Sequence, residues 1–381
     1  MMRPWQALLL IVTGLLVLGA IAVHSAGLTV GRTNPAVLSS MLLSRTTMLA
    51  LLALLALIAG MFIPLNRLDP PRGRWLPIVL LGISILLLIA VQIPGIGREV
   101  HGSRRWIDIG PIGFQPSEVA KWSLVLFLAW QCASRVTVLD RFRTGFLPGA
   151  MIVFMVGGLI GIEDLGTALV VVLVGMAMLV ASGCRVWHAI LPLPFAMVAI
   201  IVALFADPYR LDRLRAFVDP YADPQGIGYH VLQSMSAISG GGLTGRGLGN
   251  GVQKFGYLPE DTTDFLFSII CEELGMPGCL IVVLLYVALI WAGMKILLAT
   301  TKPFHRLLAF GIILTISVQA LVNLMVVTGL APTKGIALPL LSSGGTGWLM
   351  MGFFIGLLAA IDRSSTCDVD HATASPQPVP A

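Results

Sequence analysis

Apolar residues fall in long runs along nearly the whole chain, separated by shorter breaks rich in Gly, Pro and charge. A helix needs about 20 mostly apolar residues to cross the hydrocarbon of a bilayer. About ten runs meet that length, centred near Leu15, Leu55, Ile85, Leu126, Val153, Val174, Val198, Val283, Ser317 and Phe354. Backbone polar groups cannot go unpaired in hydrocarbon, so such runs are helical. Alternation at period two, the mark of a membrane barrel, is absent. The pattern predicts an all-α polytopic membrane protein with about ten transmembrane helices. One large outer loop, about residues 207–263, is expected between helices 7 and 8. Residues 1–363 read as one transmembrane domain, and residues 364–381 as a disordered tail.

An even number of spans puts both termini on one side. Short loops carrying Arg67, Arg72, Arg74, Arg135, Arg141, Arg143, Arg185, Lys302 and Arg306 then face the cytoplasm. That agrees with the positive-inside rule and predicts both termini to be cytoplasmic. The apolar run after Arg3 is longer than a signal-peptide core, so it reads as an uncleaved first span. The outer segments also carry cations, among them Arg98, Arg104, Arg105, Arg210, Arg213, Arg215, Arg246 and Lys254. Topology gives no reason for those, and they call for a chemical one.

Composition sharpens this picture. Hydrophobic residues make up 57% of the chain and charged residues 11%, against roughly 25% charged in soluble domains. The net charge of +5, spread over membrane loops, fits anionic headgroups or an anionic substrate. No basic stripe interleaved with aromatics supports nucleic-acid binding. Cys132, Cys184, Cys271, Cys279 and Cys367 form no CxxC pair, and the histidines lack metal-ligand spacing. Neither a structural zinc nor a disulfide framework is expected.

Four polar clusters carry the candidate chemistry, all on the predicted outer side. The first, HGSRRWIDIGPIGFQPSEVAKW (His101 to Trp122), sets Arg104 and Arg105 beside Trp106. A helix then starts after Pro116, with Ser117 as N-cap and Glu118 and Lys121 three residues apart, able to pair. The second, Asp207 to Gly251, holds Arg210, Arg213 and Arg215 within two helical turns. Such a cationic face suits a diphosphate or a lipid headgroup. Gly240, Gly242 and Gly245 fit GxGxxG, but no strand precedes them and no ribose-binding acid follows. The third, Gly251 to Gly275, crowds Glu260, Asp261, Asp264, Glu272 and Glu273 where the eighth span begins. Asp264 stands at the helix start, within reach of an acceptor hydroxyl. It can act as a general base or as a simple N-cap. The fourth, TGLAPTKGIALPLLSSGGTGW (Thr328 to Trp348), interrupts the path between the last two spans and holds one charge, Lys334. Lys334 reads equally as a ligand contact or as an ion-pair partner.

In this order and spacing the clusters resemble the FtsW/RodA family. RRWIDIGPIGFQPSEVAK, EDLGTALVV, PYRLDRLRAFVDP, GYHVLQSMSAISGGGLTGRGLGNG, LPEDTTDFLFSIICEELG and TGLAPTKGIALPLLSSGG all match its motifs, over roughly residues 5 to 363. The resemblance implies ten transmembrane helices in the bacterial inner membrane. It implies peptidoglycan glycosyltransferase activity on lipid II, beside a class B penicillin-binding protein and other division or elongation proteins. It carries the essential acid of the family onto Asp264, and a substrate-binding role onto Arg104, Arg105, Glu118, Lys121, Arg210, Lys334 and Ser343. No cofactor follows, and a divalent cation stays open. His230, Ser343 and Thr262 depart from the usual residues. PTKG is closer to the FtsW branch than to RodA. A lipid II flippase, with charge through the midplane, and a non-catalytic division scaffold, indifferent to Asp264, are the rival readings.

Overall fold

The computed structural model describes residues 2–27, 44–70, 73, 75–100, 103–109, 112–205, 208–260, 262–343 and 345–374. Arg72, Arg74, His101, Asp207 and Asp261 lie outside them, as does the side chain of Cys367. The main helices are α1 (Pro4–Ala26), α2 (Arg45–Met61), α3 (Trp75–Gln92), α4 (Pro116–Ser134), α5 (Leu147–Gly161) and α6 (Leu165–Ala181). They continue with α7 (Val186–Ile190), α8 (Leu193–Phe205), α9 (Pro208–Val218), α10 (Tyr229–Gly241), α11 (Leu266–Ala299), α12 (Pro303–Val327) and α13 (Thr346–Ala374). Each predicted run centre falls inside one of these helices. Among the described residues, 7 helical stretches are long and apolar enough to cross a membrane; α2 and α6 are apolar but shorter. α4 is interrupted in its apolar character by Glu118 and Lys121, both buried.

The all-α expectation needs one correction. Arg98–Val100 (β1), Ser103–Ile109 (β2) and Ile112–Phe114 (β3) form an antiparallel sheet in the order β1-β2-β3. The alternation that marks it, Arg-Trp-Asp against Arg-Ile-Ile from Arg104 to Ile109, is too short to stand out among spans. Gln115, not Ser117, precedes α4, with Pro116 at the first helical position. A ring that fixes φ and lacks an N–H costs nothing there. The long polar segment is itself structured, containing α9 and α10. The last helix passes Ser364 without a break and reaches Ala374. No Gly or Pro lies in that stretch, and the first residue placed to stop a helix is Pro376.

Small residues let the helices approach. α13 packs along α2, and a Cβ on Gly352 or Gly356 would collide with the carbonyl of Ala53 or Leu57. Close backbone approach through small residues four apart is a standard basis of helix association in lipid. Gly356→Ile is therefore expected to lower the thermal unfolding midpoint in detergent, since overpacking costs about 1–3 kcal/mol. α8 differs: it has no buried residue and stands off the bundle beside α5 and α6, leaving a gap between them.

α11 is broken at Gly275 (φ 63°, ψ −151°), with Pro277 just beyond. A Cβ at Gly275 would strike the backbone of Gly245. The glycine-rich GGGLTGRG stretch thus docks on the kink: Arg246 N–H donates to Glu272 O and Gly247 N–H to Glu273 O. Beneath it, buried Lys254 Nζ donates to Glu273 Oε1 at 2.8 Å and to Ser25 O at 3.1 Å. Glu272 and Glu273 thus anchor the long polar segment to α1 and α11, and do not line the cavities described next.

Candidate active site

Three cavities converge at one end of the bundle. The first, about 250 Å³, lies over α4 and α12 and includes Arg105, Glu118, Lys121, Asp264, Gln319 and Ser343 in its wall. The second, about 310 Å³, is walled by α9, His230, Asp264, Phe265 and Lys334. The third, about 330 Å³, is walled by Arg105, Asp164, Arg210, Arg213 and Lys334. Arg213 and Gly335 border all three. From the third cavity an apolar groove of about 570 Å³ runs between α5, α6 and α8, with Arg210 where the two join.

Asp264 lies in the turn just before α11, half-buried, and borders the first two cavities. A Cβ built on Gly335 would sit 3.1 Å from Asp264 Oδ2 and 3.8 Å from Arg105 Nη1. Acid and guanidinium thus both lie beside Gly335, where an added side chain would crowd the carboxylate. Burial, then the like charges of Glu260 and Asp164, push the Asp264 carboxyl up to about 7, against the opposing pull of Arg213 and Arg105. Glu260 holds φ at 57°, rare for a residue with a side chain. It accepts from Thr263 Oγ1 at 2.7 Å. Burial lowers the Lys334 ammonium from its ordinary value, with Asp164 opposing the shift.

The cations are held in place by the bundle. Arg105 Nη1 pairs with Asp164 Oδ2 at 3.3 Å, and its Nε donates to Glu163 O at 3.0 Å. Asp164 also caps α6, accepting from Thr167 N–H at 3.1 Å. Arg213 Nη1 donates to Thr333 O at 3.2 Å, and Arg210 Nη2 donates to Ile162 O at 2.7 Å. Below them, Lys121 Nζ donates to Glu118 Oε1 at 2.7 Å and to Gln319 Oε1 at 2.9 Å. Glu118 Oε2 is buried and has no hydrogen-bond partner among the described residues.

The sequence-predicted residues do not all meet. Arg105, Glu118, Lys121, Asp264, Lys334 and Ser343 do; Arg210 guards the groove mouth. Arg104 does not. It sits one strand position from Arg105, so its side chain points the other way. It pairs with Glu99 at 3.1 Å. Sequence reasoning placed Arg213 in a cationic face without a role in the site, and left out Asp164 and Asn323. Asn323 Nδ2 donates to Asp264 O at 2.8 Å and to Ile336 O at 2.7 Å. The legible signal was Gln319 and Asn323, one turn apart on an otherwise apolar helix. Of the departures, His230 stacks on Phe265 with ring centroids 6.0 Å apart, and Ser343 N–H donates to Thr262 O at 3.0 Å.

A model of the cell cycle protein family of FtsW, RodA and SpoVE matches residues 6–367. The chain belongs to the FtsW/RodA/SpoVE family. The probable peptidoglycan glycosyltransferase FtsW of Trichlorobacter lovleyi is 40% identical over 297 residues, 77% of this chain and 78% of that protein. The stage V sporulation protein E of Bacillus subtilis is 38% identical over 288 residues, 75% of this chain and 79% of that one. Among solved structures, a chain of a peptidoglycan synthase complex that coordinates polymerization and crosslinking superposes with a TM-score of 0.73. It is 28% identical, covering 94% of this chain and 97% of that one. The rod shape determining protein RodA of Thermus thermophilus gives 0.62 at 25% identity, with coverages of 94% and 96%. FtsW/RodA-type architecture therefore extends through the cavities and the elements that wall them.

Proposed function

We propose that this protein is a peptidoglycan glycosyltransferase that extends glycan strands from lipid II, with Asp264 as general base. One observation carries the reading: an apolar groove opens into a cation-walled chamber that meets Asp264. A polyprenyl chain fits the groove, its diphosphate the chamber with Arg105, Arg210, Arg213 and Lys334, and its sugar the side facing Asp264. The acceptor hydroxyl gives its proton to the Asp264 carboxylate as its oxygen bonds to the donor's anomeric carbon. The bond from that carbon to the diphosphate oxygen breaks, and the diphosphate leaves with the electron pair. Attack from the face opposite the leaving group inverts the centre. The cations stabilise the charge growing on the diphosphate, and the raised Asp264 pKa matches a base working near neutral pH.

In this reading ten helices cross the inner membrane, both termini are cytoplasmic, and the cavities open at the periplasmic side. A class B penicillin-binding protein is the expected partner. No group of three His, Cys, Asp or Glu among the described residues is placed to hold a metal ion.

Purified protein with its cognate penicillin-binding protein, the transpeptidase blocked, is expected to convert labelled lipid II into a polymer ladder. Absence of polymer from folded complex would favour the scaffold reading; movement of lipid II across vesicles without polymer would favour the flippase. The groove has its own test. Ala203→Trp would fill it beside Arg210, and is expected to raise KM for lipid II about tenfold with kcat little changed, as loss of uniform binding requires.

A further inference from the structure

α12 carries two amides that face the extended segment from Pro332 to Leu338. Gln319 Nε2 donates to Ala337 O at 3.1 Å, and Asn323 Nδ2 donates to Ile336 O at 2.7 Å. Irregular backbone among membrane helices must have its polar groups met by protein, and these two bonds do so. Asn323 does more. The same Nδ2 donates to Asp264 O, on the other side of the cavity entrance, at 2.8 Å. One amide nitrogen therefore spends both protons on two backbone segments that meet nowhere else through that residue. The amide can point only one way, because the flipped form would set its oxygen against two carbonyls. Asn323 is 1% exposed, and its buried Oδ1 has no hydrogen-bond partner among the described residues. An unpartnered buried acceptor is costly, and the two carbonyl bonds are what offset it.

We propose that Asn323 is a positioning residue for the glycosyl transfer, fixing the separation between the Asp264 turn and the Lys334–Ile336 segment. It touches neither substrate nor the reacting atoms. One partner residue, Asp264, carries the proposed base, and Lys334 stands two residues before the other, Ile336. A shift of about 1 Å between them is enough to cost about 10²-fold in rate. The inference rests on the proposed reaction, in which Asp264 takes a proton while Lys334 stabilises the diphosphate.

Three variants test it, each assayed on labelled lipid II as full-length protein with its penicillin-binding protein. Asn323→Leu keeps the branched outline of the side chain and removes both donors. It is expected to lower kcat by about 10–10²-fold per folded protein, with KM for lipid II changed less than about threefold. Its acid limb is expected to move from about 7. The groups around Asp264 are Glu260 on its own turn, Asp164 at the start of α6, Arg105 on β2, and Arg213 and Lys334 across the cavity, with Asp212, Asp223, His230, Glu118 and Lys121 further along the walls of its two cavities. A displaced carboxyl changes its distance to all of them, whereas a loss of folded protein leaves the limb in place. Asn323→Gln keeps an amide and is expected to fall between wild type and Asn323→Leu; if the Leu variant does not fold, the Gln variant carries both measurements. Wild-type kcat in the variants, or a lowered kcat with an unmoved limb, overturns the positioning role. Asp264→Asn runs in parallel. If it polymerises at the wild-type rate, the reaction assignment falls whatever Asn323 does; if it loses that rate while Asn323→Leu is normal, only the positioning role of Asn323 falls.

Discussion

Asp264→Asn is expected to lower lipid II polymerisation by about 10²–10⁴-fold, the usual worth of a positioned general base. The amide is close in size to the carboxylate and keeps the main-chain bond from Asn323 Nδ2 to residue 264. The turn before α11 should therefore hold, and thermal stability should stay near that of wild type. Stability need not fall at all, because the protein gives up a carboxyl that burial and two neighbouring acids disfavour in its charged form. The two measurements separate the roles. A scaffold would show no polymerisation in either protein, and a purely structural acid would lose rate and stability together. Polymer ladders quantify the rate, and scanning fluorimetry the stability.

Lys334→Ala is expected to lower kcat/KM by about 10²–10³-fold, the range for removing one preorganised donor from developing negative charge. Lys334 borders the chamber of the arginines and the cavity of Asp264, so it links leaving group to base. Arg105 and Arg213 cannot take its place freely. Arg105 is committed to Asp164 and Glu163 O, and Arg213 to Thr333 O. Lys334→Arg should recover part of the loss, limited by the bulk of a guanidinium beside Gly335. Equal loss from both would show that shape matters at this point more than charge. Single-turnover rates at saturating lipid II distinguish a fall in the chemical step from a fall in binding.

The positions of the helices were legible in the sequence because hydrocarbon imposes a length and an apolar content on every span. The break in α11 was less so. Gly275 and Pro277 are visible, but only the docking of Gly245 onto the kink explains why the helix stops there and resumes. The β-sheet escaped because seven residues of weak alternation look like any interfacial loop. Asp264, Lys334 and the Glu118–Lys121 pair were legible because charge beside or inside a span is expensive and needs a reason. Arg104 and Arg105 could not be told apart by type. Only strand geometry, which turns alternate side chains to opposite faces, sends one into the cavity and the other to Glu99. Asp164 read as part of a turn into a helix, and its ion pair with Arg105 spans 59 positions of sequence, a distance no local pattern encodes. Asn323 was hidden for the opposite reason: an uncharged amide in a long apolar run attracts no notice until its two carbonyl partners are seen.

The most direct test of the carboxylate's role is the initial rate of lipid II polymerisation by the wild-type complex from about pH 5 to about pH 9. Below about 7 Asp264 is protonated and cannot accept the acceptor's proton, so the rate should fall about tenfold per pH unit on that side and level off above it. A rate flat through neutrality, or an acid limb that survives unchanged in whatever activity Asp264→Asn retains, would contradict the account.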